Sequence, residues 1–345
     1  MPDFFGSIAN FFSDGANWLA KALGIWSPPP PKQRLPTAPK TTGGTTAPTT
    51  PSAKPVLGST QSGQADARLK KLPEKDRKRY EAVVSTAKSD SERGYLTKAL
   101  ASNHSIDEIE AFAKKIQGKD EKWQQDNLKL TSNSSGKGVK QQWSHSCNAT
   151  TVQAVQAELD PIYALKLHEE NPDVTSANDS DGTKANPKLA AEQKKMLEST
   201  YNGGVKGAVG YAGKAVARDK SAQGVGRWAD DLLNARSDTT GLTYSTKMLD
   251  PKTYSIDKAT ADLDKALAKG QPVPIVIGDG KAAATAHYVL VTQLEVGPPK
   301  KYTIHDPGAG VTVTRSGEDL TKGKINLSGW NQIASIEIPA EVKTK

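Results

Sequence analysis

The stretch "KQQWSHSCNATTVQAVQAELDP", Lys140 to Pro161, contains the single cysteine of the 345-residue chain. Apolar residues recur at helical spacing after Cys147, and Asp160-Pro161 is typical of a helix end, so we predict a helix from Cys147 to Leu159. The sulfur then lies at the helix N-terminus, where free N–H groups and the helix dipole stabilise the nucleophilic thiolate. The alternative is a small buried core residue, the usual environment of a cysteine.

A base for such a nucleophile is predicted in "AHYVLVTQLEVGPPKKYTIHDPGAG", residues 286–310. Two strands flank a turn near Gly297 to Lys300, and pairing across it places His287 opposite residues near 305 to 309, so that Asp306 lies across the ladder on the same face. His305 should point to the other face. An imidazole held by a carboxylate is the base that a cysteine nucleophile uses. The alternative is a His–Asp pair that only stabilises the sheet.

The approach to the predicted helix offers a hydrogen-bond donor for the reaction. Gln141, six residues before Cys147, can present its side-chain amide beside the Cys147 backbone N–H, where a developing oxyanion would lie. Trp143 and His145 are candidate substrate-binding residues, with a structural role as the alternative for each.

The order of elements predicts an α+β fold. Further helices are expected in "LAAEQKKMLEST" and "GRWADDLLNAR", before a second half made of short β-branched runs. The predicted strands are "PVPIVIG", "HYVLVTQLEV", "KYTIHDP", "GVTVTR" and "NQIASIEIP". Helices followed by antiparallel strands are typical of this class.

Four segments are predicted along the chain. Residues 1–26 form an amphipathic helix, and residues 27–66 are a disordered linker rich in Pro, Thr and Ser. Residues 67–130 form a small helical domain, in which Ser89 and Ser105 each begin a capping box. Residues 131–345 form the catalytic domain.

Composition excludes several classes of protein. One cysteine cannot form an internal disulfide, and no run reaches the roughly 18 apolar residues of a membrane span. The N-terminus lacks the basic stretch of a cleaved signal peptide. The net charge of +8 lies mainly on helical segments that also carry Glu and Asp, so we predict no nucleic-acid binding. No ligand set with metal-binding spacing occurs, so we predict no metal and no cofactor.

In these residues and their order the chain resembles the papain-like cysteine peptidases, most closely the domains that cleave bacteriocin leader peptides and their free-standing bacterial relatives. The resemblance spans about Lys140 to Val313 and rests on Gln141, Cys147, His287 and the "HDP" at Asp306-Pro307. The leader-cleaving group usually has glycine after the cysteine, whereas this chain has Asn148. The long separation of Cys147 from His287 is nearer to that of papain, so substrate preference does not carry over.

The resemblance implies a papain-like fold and a cysteine peptidase acting on protein or peptide substrates, with Cys147 as nucleophile, His287 as base, Asp306 as its orienting carboxylate and Gln141 as oxyanion donor. An acyltransferase or glutamine deamidase with the same residues, and a catalytically silent binding module, remain alternatives. The arrangement suggests a bacterial effector or toxin, made in the cytoplasm and exported by a specialised route. Residues 1–26 would contact a membrane or export machinery, and the helical domain could cover the cleft as a prosegment.

Overall fold

A computed structural model describes residues 56–142, 146–171, 174, 186–199, 227–278 and 286–342. The predicted amphipathic helix at residues 1–26 lies outside the described residues, as do most of the predicted linker and the two candidate substrate-binding residues, Trp143 and His145. Within the described ranges, no helix combines the length and apolar character needed to cross a bilayer.

Five helices form the first described part of the chain. They are α1 Ser59–Lys71, α2 Glu74–Ser85, α3 Asp90–Ala101, α4 Ile106–Ile116 and α5 Glu121–Leu128. The predicted capping box at Ser105 is complete, while the Ser89 side chain accepts only the backbone N–H of Glu92. Helix α1 begins inside the segment predicted to be a disordered linker, so that linker prediction is wrong from Ser59 onward. Its buried residues Thr60, Gln61 and Ala65 explain why this polar sequence is ordered.

The second group of helices begins at the cysteine. Its members are α6 Cys147–Leu159, α7 Pro161–Glu170, α8 Pro187–Ser199, α9 Arg227–Asn234 and the short α10 Ser237–Thr240. The predicted helix from Cys147 to Leu159 is confirmed. Asp160-Pro161 ends it but also starts α7, because the Asp160 carboxylate accepts the N–H groups of Ile162 and Tyr163 and proline is well suited to a first helical position.

A six-stranded sheet follows, with two further helices. Its elements are β1 Leu242–Met248, α11 Ile256–Ala268, β2 Val273–Gly278, β3 Ala286–Glu295, β4 Lys301–Asp306, β5 Val311–Ser316, α12 Gly317–Thr321 and β6 Gln332–Glu341. The strand order is β1-β6-β2-β3-β4-β5, and every neighbouring pair is antiparallel. The α+β class is therefore confirmed, and the five predicted strands are present.

The sheet has an apolar layer on each face. Tyr288 and Leu290 of β3 pack with Val152 and Val155 of α6 on one face. The alternate residues of β3, Val289 and Val291, belong to a second cluster that contains α11 and α12. This two-residue alternation is what a strand buried on both faces requires. It fixes α6, and therefore Cys147, against β3.

The helices α1–α5 pack against the end of α6 that lies away from Cys147. The Leu159 carbonyl accepts the Gln61 side-chain amide at 2.8 Å and the Ser102 hydroxyl at 3.0 Å. The Lys98 ammonium donates to the Glu158 carbonyl at 2.8 Å. A 13-residue helix is about 20 Å long, so these contacts are remote from the sulfur. They support the C-terminal end of α6.

Candidate active site

The Cys147 side chain lies at the N-terminus of α6 and is partly exposed. Burial acts to raise the pKa of its thiol. The hydrogen bond and the positive charge of His287, together with the backbone N–H groups of Tyr288 and Asn148, outweigh that effect and lower the pKa below its ordinary value. The sulfur is therefore in an environment that favours the thiolate.

His287 is the second residue of β3, and its side chain is hydrogen-bonded to that of Cys147. Its Nε2 atom lies 2.6 Å from Oδ1 of Asp306, which leaves the Nδ1 side of the ring for the sulfur. Burial acts to lower the pKa of this imidazole, but the hydrogen bonds and charges of Asp306 and Cys147 raise it to about 9. At neutral pH the site therefore holds an imidazolium next to a thiol with a lowered pKa.

Asp306 ends β4 and is almost fully buried. Its Oδ1 atom also accepts the backbone N–H groups of Gly308 at 2.8 Å and Ala309 at 3.3 Å, while Oδ2 accepts the Ser328 hydroxyl at 2.6 Å. Burial acts to raise the pKa of this carboxyl, but its hydrogen bonds and the charge of His287 lower it. The carboxylate is thus ionised and held in one orientation.

His287 and Asp306 meet across the ladder as predicted, but they are not directly opposed. Leu290 pairs with His305, and continuing that register places Asp306 level with Val289, two residues along β3 from His287. The pair is therefore diagonal on one face, a separation that long side chains span. Continuing the register of Glu295 with Lys301 would place Asp306 level with Leu290, on the other face. A bulge between Val291 and Gln293 shifts the ladder by one residue and so brings Asp306 onto the face of His287.

His305 lies on the other face, as predicted, and has other partners. Its Nε2 atom is 3.0 Å from the Val139 carbonyl and its Nδ1 atom 3.2 Å from the Thr312 hydroxyl. Complete burial lowers the pKa of this imidazole to about 4, so it is neutral near pH 7. His305 therefore links β4 to the segment before α6 and has no direct contact with the sulfur among the interactions described.

Gln141 is brought next to the site by the backbone. Its N–H group donates to the Pro307 carbonyl at 2.8 Å, directly after Asp306. Close by, the hydroxyl of Ser146, the residue before Cys147, accepts the backbone N–H of Gln142 at 3.0 Å. These two bonds fix the approach to α6 beside the end of β4. The predicted neighbours Gln141, Cys147, His287 and Asp306 are thus collected in one place.

Sequence reasoning missed two residues of this site. Ser328 is distant in sequence from Asp306, and its only local signal is the turn-forming pair Ser328-Gly329. Gly308 follows "HDP" and lies so close to the site that an added Cβ would come within 3.1 Å of His287 Cε1 and of Asp306 Oδ1. A glycine in "DPG" is typical of a turn, so nothing in the local pattern connects Gly308 with the imidazole.

Among the described residues, no group of three or more His, Cys, Asp or Glu side chains could hold a metal ion. Comparisons with protein-family models, with curated proteins and with solved structures found no match to this chain.

Proposed function

We propose that the protein is a cysteine peptidase that hydrolyses peptide bonds through a thioester on Cys147. The observation that carries the proposal is the chain of contacts from the Cys147 thiol to His287 and from His287 Nε2 to Asp306. The geometry supports nucleophilic catalysis because nucleophile, base and orienting carboxylate are already in contact. We also propose that the helix α6 and the antiparallel sheet represent a papain-like fold.

In the proposed reaction the Cys147 thiolate attacks the carbonyl carbon of a peptide bond. The oxyanion receives hydrogen bonds from the Cys147 backbone N–H and the Gln141 side-chain amide. The His287 imidazolium protonates the leaving amine, and the C–N bond breaks to leave a thioester. Neutral His287 then takes a proton from water, whose oxygen attacks the thioester, and returns a proton to the sulfur as the carboxylic acid is released.

Asp306 supports both halves of this cycle. Its carboxylate holds the ring by Nε2, so the other nitrogen stays directed at the sulfur, and its negative charge stabilises the imidazolium that each proton transfer requires. Because Asp306 is itself ionised and held by several donors, it does not need to move during the reaction.

The proposal is tested by incubating the purified protein with an unstructured protein substrate and analysing the products by mass spectrometry. Peptide fragments that appear with the wild type and disappear with Cys147→Ala support hydrolysis. An intact substrate that gains about one dalton indicates glutamine deamidation, and an intact substrate joined to an added amine indicates acyl transfer.

A second measurement separates enzyme from silent binding module. A thiolate paired with His287 should react rapidly with iodoacetamide at pH 6, where an ordinary thiol with a pKa near 8.5 is almost fully protonated. If Cys147 reacts at pH 6 no faster than it does in His287→Ala, the site has no activated nucleophile and the enzyme proposal is wrong.

A further inference from the structure

A two-residue turn, Ser328-Gly329, lies beside the Asp306 carboxylate. It is closed by Leu327 and Trp330, whose backbone groups exchange hydrogen bonds of 3.0 and 2.8 Å. The φ angles are +46° at Ser328 and +86° at Gly329. Positive φ at both central residues is the mark of a type I′ turn, which favours Asn, Asp or Gly. Serine is thus unfavourable for the backbone at this position.

The side chain of Ser328 supplies a reason for its presence. Its hydroxyl donates to Asp306 Oδ2 at 2.6 Å, whereas Oδ1 binds the imidazole and two backbone N–H groups. The Ser328 hydroxyl therefore fixes the second oxygen and sets the rotation of the carboxylate about its Cβ–Cγ bond. Ser328 itself is exposed at the surface, so the bond runs from the rim of the site to a buried group.

We propose that Ser328 is a positioning residue of this site: by holding Asp306 Oδ2, its hydroxyl orients the carboxylate and, through it, the His287 ring toward Cys147. Strained backbone is retained in proteins where a functional constraint outweighs its cost, and the left-handed serine fits that pattern. The inference rests on the proposed function. The competing role is purely structural, a bond that attaches the loop before β6 to the sheet.

Two substitutions separate these roles. Ser328→Ala removes the hydroxyl and keeps the backbone strain, while Ser328→Gly removes the hydroxyl and relieves the strain. The measurement is the rate of Cys147 alkylation by iodoacetamide from pH 5 to pH 9, together with the melting temperature. Ser105→Ala is the matched control, because it deletes a serine hydroxyl that bonds a carboxylate at 2.8 Å in a helix cap of the α1–α5 part.

Both Ser328 variants should react about fivefold more slowly at pH 6, since water at this exposed position replaces part of a hydrogen bond to a charged group. In the plot of alkylation rate against pH, the low-pH limb of both variants should move to higher pH, because a less well oriented carboxylate stabilises the imidazolium less. Ser328→Gly should melt at or above the wild-type temperature. Ser105→Ala should lower the melting temperature and leave the alkylation profile unchanged.

Unchanged alkylation profiles in both Ser328 variants would overturn the inference, as would slower alkylation that always accompanies a lower melting temperature. A failure of the proposed function would give a different result. Wild-type Cys147 would then already react as slowly at pH 6 as Cys147 in His287→Ala, and the positioning role of Ser328 would fail together with the proposed function.

Discussion

Glu337, on β6, is a carboxyl group that the structure buries completely, and it leads to a quantitative prediction. Its Oε2 atom accepts the Thr246 hydroxyl at 2.8 Å, and its Oε1 atom has no hydrogen-bond partner. Burial raises the pKa of Glu337 to about 9, and the charge of Asp230 adds to the rise. The group is therefore protonated in the folded protein near neutral pH and ionised in the unfolded chain.

The sign of the effect on stability follows from proton binding. Because the folded pKa lies above the ordinary value of 4.5, the folded state binds more protons, and stability falls as pH rises between 4.5 and about 9. From pH 5 to pH 8 Glu337 alone should reduce the free energy of unfolding by on the order of 4 kcal/mol. Glu337→Gln cannot ionise and avoids this loss.

The assay is urea unfolding, followed by circular dichroism, of the wild type and Glu337→Gln at pH 5, 6, 7 and 8. The difference in unfolding free energy, variant minus wild type, should grow steadily with pH toward that value. Glu341→Gln, at an exposed position on the same strand, is the control and should give a nearly constant difference. If the curves for Glu337→Gln and wild type run parallel, Glu337 is ionised in the folded protein and the reasoning is refuted.

Two further substitutions test the candidate site. Asp306→Asn removes the charge that helps to stabilise the imidazolium, so the imidazole pKa should fall and the Cys147 thiol pKa should rise. Alkylation at pH 6 should then slow by roughly tenfold, and the low-pH limb of the plot of rate against pH should move to higher pH. Gly308→Ala places a Cβ within 3.1 Å of the imidazole and the carboxylate, so peptide hydrolysis should fall at least tenfold and stability by about 1–3 kcal/mol. Gly297→Ala, where an added Cβ meets nothing within 4 Å, should change neither property; equal effects of the two substitutions would contradict the steric argument.

Local sequence signals predicted the elements that carry the site. The apolar spacing after Cys147 gave α6, and β-branched runs between turn residues gave β2 to β6. Helix α11 was not predicted, although Ser255 caps it and its buried residues Ala259, Leu263, Ala266 and Leu267 recur at helical spacing. Strand β1, "LTYSTKM", was missed because this edge strand has only three apolar residues, Leu242, Tyr244 and Met248, and no β-branched apolar run.

The parts of the site that could not be predicted depend on contacts between distant segments. The diagonal pairing of His287 with Asp306 depends on a bulge, and no local pattern in β3 predicts that bulge. The Ser328 hydroxyl reaches Asp306 only because the loop before β6 folds back on the end of β4. Residue types and their order therefore suggested the chemistry, while register and long-range hydrogen bonds determined the orientation of the groups.

The attachment of α1–α5 to the far end of α6 affects how this protein can be shortened. A chain that starts at residue 131 would leave the carbonyls of Glu158 and Leu159 without Lys98, Gln61 and Ser102, and would expose the apolar side of α7. We expect such a fragment to aggregate or to express poorly. For biochemical work, truncation from the N-terminus should stop before Val56, so that every helix that supports the cysteine-bearing one is retained.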